Sequence, residues 1–304
     1  MIITPARPPP DTILPLQQHP MFADALARMG RDVCCLTLRD GARRVGYVQL
    51  MTRRLGWFGQ VSMASRGPIW ADDAPPEVQA RALERLGRQG VRIVNANGPL
   101  RRSVGSGFRQ IVTPAHVAEL DLRGDFQGRM HPKWRNRLLR AQSGSLTLHH
   151  RAFDATAHAW LLNADRAQQK ARGYRALPTE LTLAFAEANR RQVRVVTAHV
   201  GPTVVAAMLF LCHGPVATYH IGWRSLDECA NGAHNLILAA AMEKLAQDGH
   251  VCLDLGLVDT DTAPGLARFK IGSGATVRPL GGTWLRLPDP TGPLRRLAGL
   301  PVPC

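Results

Sequence analysis

Lys270 is one of four lysines, at 133, 170, 244 and 270, in a chain that otherwise carries 34 arginines. Its ammonium is a compact point charge of the kind that can oppose a developing oxyanion or a phosphate. It sits in Gly265-Leu-Ala-Arg-Phe-Lys-Ile-Gly272, a short way after Leu253-Asp-Leu-Gly256. Removing a proton from a nucleophile needs a carboxylate, an imidazole or a water chain in reach. His220, Asp254 and Asp259 are the candidates nearby, and Tyr219 could give a proton to a leaving group. Strand alternation sends Tyr219 and His220 to opposite faces, which argues against both serving one site.

A second group is cationic. In Lys133-Trp-Arg-Asn-Arg-Leu-Leu-Arg-Ala141, helical spacing puts Lys133, Arg137 and Arg140 on one face and Trp134, Leu138 and Ala141 on another. Arg123, Arg129, Arg135 and Arg151 thicken the local charge. The stripe reads either as a solvated helix face or as a surface for phosphates of tRNA, a nucleotide-bearing precursor or lipid headgroups. A third feature is the loop Cys229-Ala-Asn-Gly-Ala-His-Asn235 ahead of a helix. The free N–H groups and dipole of such an end suit an anion, although many loops before helices contain a glycine. No Gly-x-Ser-x-Gly elbow, phosphate-binding Gly-x4-Gly-Lys-Ser/Thr loop or zinc-type Cys spacing occurs, so no metal is expected. Gly272-Ser-Gly274 and Gly281-Gly282 read as turns.

The elements that must position these groups follow from periodicity and turn chemistry. Strands are expected at 33–38, 45–51, 57–63 and 91–95, with a helix from Pro76 to about Gln89 between the last two. The order then repeats. Helices are expected at 132–142, 155–172 and 179–190 and a strand at 145–149. Strands at 193–200, 204–212 and 216–223, a helix at 233–247, a strand at 251–255 and a closing strand near 276–287 follow. Pro288–Cys304 reads as an extended tail.

The chain has 304 residues, a net charge of +15 and a pI near 10.8, with 45% hydrophobic residues and a mean hydropathy of −0.12. That is the composition of a folded protein of about two domains. The positive excess lies in residues 1–194, pointing to an anionic partner, while the arginine skew with abundant Ala and Gly also fits a GC-rich genome. Prolines interrupt the first ten residues and the longest apolar run, Val204–Cys212, is nine residues. Neither an export signal nor a membrane span is expected, and a cytoplasmic setting with reduced thiols is.

Three stretches carry a family resemblance. Ala64-Ser-Arg-Gly-Pro-Ile69, the Lys133–Ala141 helix and the Leu253–Gly256 plus Gly265–Gly272 pair resemble, in order and spacing, segments of the FemAB-like branch of the GNAT acyltransferases. The resemblance implies an α/β fold of two tandem GNAT-like domains, each a mixed central sheet flanked by helices. Residues 1–120 would form the first, 121–290 an acyltransferase domain, and 291–304 the tail. It implies transfer of an acyl group, in the first instance acetyl, from acyl-CoA to an amine of a small molecule or cell-envelope precursor. Acyl-CoA is then a co-substrate, with no permanently bound cofactor. The co-substrate would lie in a splay between 204–212 and 216–223, touching Leu209, Phe210 and Leu211, with its pyrophosphate on Asn231, Gly232, Ala233, His234 and Asn235. That loop departs from the (Arg/Gln)-x-x-Gly-x-(Gly/Ala) pattern, having one glycine and no leading Arg or Gln. Lys270 takes the position of a lysine that stabilises negative charge, with Phe269 beside it, and Asp254 matches the branch's aspartate. Lys133, Arg137 and Arg140 would meet substrate. Two alternatives stay open: a FemAB-type aminoacyltransferase using aminoacyl-tRNA, and a non-catalytic module binding anionic ligands or an anionic membrane surface.

Overall fold

The computed structural model describes residues 1–54, 60–100, 106–225 and 232–287. It divides the chain into two units, residues 1–115 with 279–304, and residues 116–278. The sequence reading put the first boundary at 120 and left everything to 290 in the second unit. The structure instead returns the chain to the first unit from Pro279.

The first unit opens with strand β1 (Ile2–Pro5) and helix α1 (Pro20–Arg28), followed by β2 (Asp32–Asp40), β3 (Arg43–Arg54), β4 (Gln60–Ser65) and β5 (Ile69–Trp70). Helix α2 (Pro76–Arg88), β6 (Val91–Asn95) and β7 (Arg109–Val112) follow. β2, β3 and β4 are antiparallel neighbours, and β6 comes back parallel to β4 after α2. Leu83 and Leu86 of α2 are sealed against Leu36, Leu38, Val48 and Val94 of the sheet. Pro76 at the first turn, Glu77 beside it and basic residues in the last turn start and stop that helix.

The second unit repeats this plan on a seven-stranded sheet. Its elements are β8 (His116–Asp121), α3 (Pro132–Gln142), β9 (Thr147–Ala152), α4 (Ala159–Arg172), α5 (Thr179–Ala188), β10 (Val193–Val200), β11 (Thr203–His213) and β12 (Val216–Arg224). Then come α6 (Ala233–Gln247), β13 (Cys252–Val258), α7 (Pro264–Gly272) and β14 (Thr276–Pro279). The strand order is β14-β8-β13-β12-β11-β10-β9. The single closing strand expected near 276–287 is two strands in two sheets, β14 here and β15 (Thr283–Leu285) between β6 and β7 of the first unit. Gly281 and Gly282, the latter at φ +77, separate them.

α6 is apolar on nearly every side because it is enclosed. Ile237, Leu238 and Met242 are fully buried, with α3 and the β10–β12 sheet face packed around them. β11 lies between β10 and β12, antiparallel to both along its length. Leu209→Ala should therefore act as a core deletion, lowering unfolding free energy by about 2–5 kcal/mol in denaturant titration without changing the slope.

Candidate active site

β12 and β13 run parallel for three rungs, Val216 with Cys252, Ala217 with Leu253 and Thr218 with Asp254, and the register goes no further. Two irregularities open the sheet at this level. On β13 the pairing with β8 shifts between Asp254 and Gly256, and Gly256 takes φ +76. The Asp254 carboxylate fixes the bend by accepting from Gly256 N–H at 2.7 Å. On β12 one extra residue, His220, lies between the partners of Leu209 and Phe210. Bulges of this kind bend a strand and re-aim its side chains.

Lys270 and Asp254 face this opening from the β13 side. Lys270 belongs to the last turn of α7, is 5% exposed, and donates from Nζ to Leu257 O at 2.7 Å. Burial pulls its pKa down to about 8, and the neighbouring Asp254, 3% exposed, pulls in the opposite direction. The helix that carries it is set by aromatic packing. Phe269 lies with its ring centroid 6.0 Å from both Trp134 of α3 and His234 of α6. Gly272 sits close under Trp134, and its carbonyl accepts from His131 N–H. Phe269, expected to touch substrate, is half-buried and packs between these two rings.

The β12 side was less legible. The Tyr219 hydroxyl lies flat over Gly222, where any side chain would collide with it, and burial beside Tyr174 and Asp165 raises its pKa. Gln168 of α4 donates to Gly222 O at 3.3 Å and to the Tyr174 hydroxyl at 3.0 Å. Asp165, one turn earlier on the same helix face, is 6% exposed. None of Asp165, Gln168 or Tyr174 was singled out from sequence.

His220 turns the other way, pairing with Thr182 of α5 at 2.7 Å, and burial lowers its pKa to about 4, so it is neutral and weakly basic near neutral pH. The opposite-face expectation for Tyr219 and His220 agrees with this. Asp259 is exposed and caps its own loop, accepting from the Thr262 hydroxyl and from the Thr262 and Asp261 N–H groups, which hold its pKa low.

The co-substrate residues require correction. The opening lies between β12 and β13, not between β11 and β12. Leu209, Phe210 and Leu211 are core, at most 1% exposed, because β11 has a hydrogen-bonded neighbour on each side. Asn231 lies outside the described residues. Gly232 caps α6 at φ +78, and α3 flanks it closely: a Cβ there would stand 3.0 Å from Ala141 Cβ and 3.2 Å from Arg137 O. Ala233 is buried, His234 donates from Nε2 to Trp223 O at 2.9 Å, and Asn235 is buried with its Nδ2 unpartnered among the described residues. Lys133, Arg137 and Arg140 are exposed on α3 with Arg135. Among the described residues none of the four side chains makes an ion pair or hydrogen bond. No cluster able to hold a metal ion occurs among the described residues, and no helix among them is long and apolar enough to cross a membrane.

The buried lysine makes a stability prediction. Its folded pKa, about 8, lies below the ordinary 10.5, so between these values the unfolded chain binds more protons. Stability from this group therefore rises with pH from about 8 to 10.5, and below 8 the charged lysine is a constant penalty. Lys270→Met should raise stability at pH 7 by roughly 2–3 kcal/mol and flatten stability between pH 8 and 10.5, as read by denaturant titration.

Residues 132–270 match the model of the acetyltransferase (GNAT) domain family. A search of curated proteins finds no sequence match. Among solved structures the chain is similar to FemX, with TM-score 0.68, 10% identity, and 88% of this chain and 93% of that one covered. It is also similar to the C-terminal domain of a lysylphosphatidylglycerol synthetase from Agrobacterium fabrum described as putative (TM-score 0.56, 14% identity, 90% and 89% covered). A tandem GNAT protein from the clavulanic acid biosynthesis pathway gives TM-score 0.52 at 15% identity, with 88% of each chain covered. Residues 132–270 thus match the acetyltransferase (GNAT) domain family, and the chain shares the fold of FemX and of the tandem GNAT protein.

Proposed function

We propose that the chain transfers an acyl group from acyl-CoA to a primary amine, at the opening between β12 and β13. The observation that carries this reading is Lys270, a lysine 5% exposed and fixed on Leu257 O beside buried Asp254, at the level where the sheet parts. A cation in such a place, excluded from water and held before the reaction begins, stabilises negative charge that develops on the acyl oxygen. The amine nitrogen attacks the acyl carbon, the carbonyl electrons move to oxygen opposite the ammonium, and collapse expels the thiolate as the new C–N bond persists. The thiolate leaves as a thiol after taking a proton. Tyr219, whose pKa burial raises so that its hydroxyl stays protonated, gives that proton and regains one from the nitrogen as the amide forms.

A specific observation favours a second donor, aminoacyl-tRNA. α3 presents four unpartnered cations, and its Arg137 carbonyl and Ala141 crowd the α6 N-terminus that would otherwise take a CoA pyrophosphate. On that reading α3 follows the nucleic-acid backbone, with a steep salt dependence. The lysylphosphatidylglycerol synthetase among the fold relatives makes an anionic lipid acceptor the corresponding third outcome.

Transfer assays with acetyl-CoA and with aminoacyl-tRNA decide between donors. Lys270→Met should lower kcat at least 100-fold with little change in donor KM, and in the unmutated protein the rate should fall as pH rises through about 8, where the ammonium is lost. Joint replacement of Lys133, Arg137 and Arg140 by Gln should abolish tRNA-dependent transfer and reduce its salt slope. The same variant should leave CoA-dependent kcat/KM within a few-fold. Retained turnover in Lys270→Met would remove that lysine from the reaction.

A further inference from the structure

Beside β12 lies a second buried acidic group that the reaction as described does not use. Asp165 lies in the middle of α4 on the face that also carries Gln168, Gln169 and Arg172. It is more than nine-tenths buried. Among the described residues its carboxylate has one hydrogen bond, from Gln169 Nε2 at 2.7 Å, and no ion pair. A carboxylate withdrawn from water without a cation is costly, and chains rarely keep one unless something pairs with it. Its position explains what that partner would be. One turn on, Gln168 reaches Gly222 O of β12, past the last β12–β13 rung, and one turn before, Trp160 packs edge-on against Trp223 with ring centroids 5.2 Å apart. Asp165 is thereby held along β12 beside Tyr219, while Asp254 and Lys270 occupy the β13 side.

We propose that Asp165 binds the acceptor as an ammonium ion and takes the proton that frees its lone pair. This rests on the acyl-transfer reading above. The acceptor class is then a primary alkylamine that arrives as a cation. Asp165 accepts one proton from R–NH3+, giving R–NH2 and a neutral carboxylic acid. The amine adds to the acyl carbon, and the nitrogen's second proton leaves as the C–S bond breaks, to appear on the departing thiol. Asp165 returns its proton to solvent when the amide product leaves. Burial favours the neutral acid at the moment of transfer, while the hydrogen bond from Gln169 limits that effect. The other ionisable groups around it are Tyr219 on β12, with Tyr174 and Arg172 at and beyond the end of α4.

The test uses the full chain with acetyl-CoA or aminoacyl-tRNA, whichever the unmutated protein accepts, and a panel of alkylamines. Asp165→Asn, of the same shape, should lower kcat/KM for the amine at least 100-fold, leave the donor's Kd unchanged and erase the acidic limb of the kcat/KM profile. Gln169→Leu, which removes the carboxylate's hydrogen-bond donor, should move that limb to higher pH. A limb that stays in place in both variants overturns the proposal. Binding of n-butylammonium, followed by thermal shift against n-butanol as neutral control, separates this proposal from the reaction itself. If the unmutated protein transfers no acyl group from either donor, the acyl-transfer reading falls and the binding result alone decides. Loss of n-butylammonium binding in Asp165→Asn then sustains the ammonium site, and equal binding, or none, in both proteins overturns it.

Discussion

Everything in the second unit depends on a parallel strand pair that stops after three rungs. Antiparallel neighbours joined by a tight hairpin, such as β11 and β12, have every reason to stay paired along their whole length. A parallel pair joined through a helix is not held that way, and here each strand also carries an irregularity at the same level. The extra residue on β12 and the positive φ of Gly256 on β13 turn the strands apart where Tyr219, Asp254 and Lys270 stand. The opening is therefore made by backbone geometry before any side chain acts. The Asp254 carboxylate that fastens the bend is also the group nearest in charge to Lys270.

The cost of placing charges there falls on the helices. Lys270 can be buried as a cation because the last turn of α7 is wedged by Phe269 between Trp134 and His234, and because Leu257 supplies a carbonyl for its ammonium. α3 does two jobs at once. Its apolar face, through Trp134, Leu138 and Ala141, holds α7 and α6 in register, while its other face presents Lys133, Arg135, Arg137 and Arg140 to solvent. The positive charge so evident in composition thus sits here on an element whose buried face helps to set the position of Lys270.

Local signals were legible wherever one element's chemistry was self-contained. α3 runs from Pro132 to Gln142 as its proline start and amphipathic spacing predict, and α6 from Ala233 to Gln247. α7 went unread because Pro264-Gly265 at its start resembles a turn, and β8 because His116–Asp121 is short and lies apart in sequence from its partner β13. Lys270 and Asp254 were found through motif spacing. The channel was misplaced because the apolar run of β11 reads the same whether it lines a cavity or fills a core. Its burial depends on hydrogen-bonded neighbours on both sides, β10 and β12, that no local pattern reveals. Asp165 was invisible for the converse reason: Asp165, Gln168, Gln169 and Arg172 make an ordinary polar helix face, and only the fold turns that face toward a strand edge.

The first unit shows what the same plan does when it stays shut. β4 and β6 are its parallel pair, built like β12 and β13 from three antiparallel strands, a helix and a returning strand. Their pairing runs four rungs, to Ser65 with Asn95, and is then tied further on, by Gly67 N–H to Asn95 O at 3.1 Å and Arg66 Nε to the Asn97 side chain at 3.1 Å. Gln18 adds a clamp, donating to Ser65 O at 2.7 Å and Gln49 O at 3.2 Å and accepting from Gln49 N–H at 2.7 Å. With the backbone edges satisfied in this way, nothing draws the strands apart and no buried lysine faces the junction. The two units differ in what is done with the strand edges beyond the last shared rung. In one, amides and a guanidinium close them. In the other, a bulge, a glycine and a carboxylate turn the strands apart.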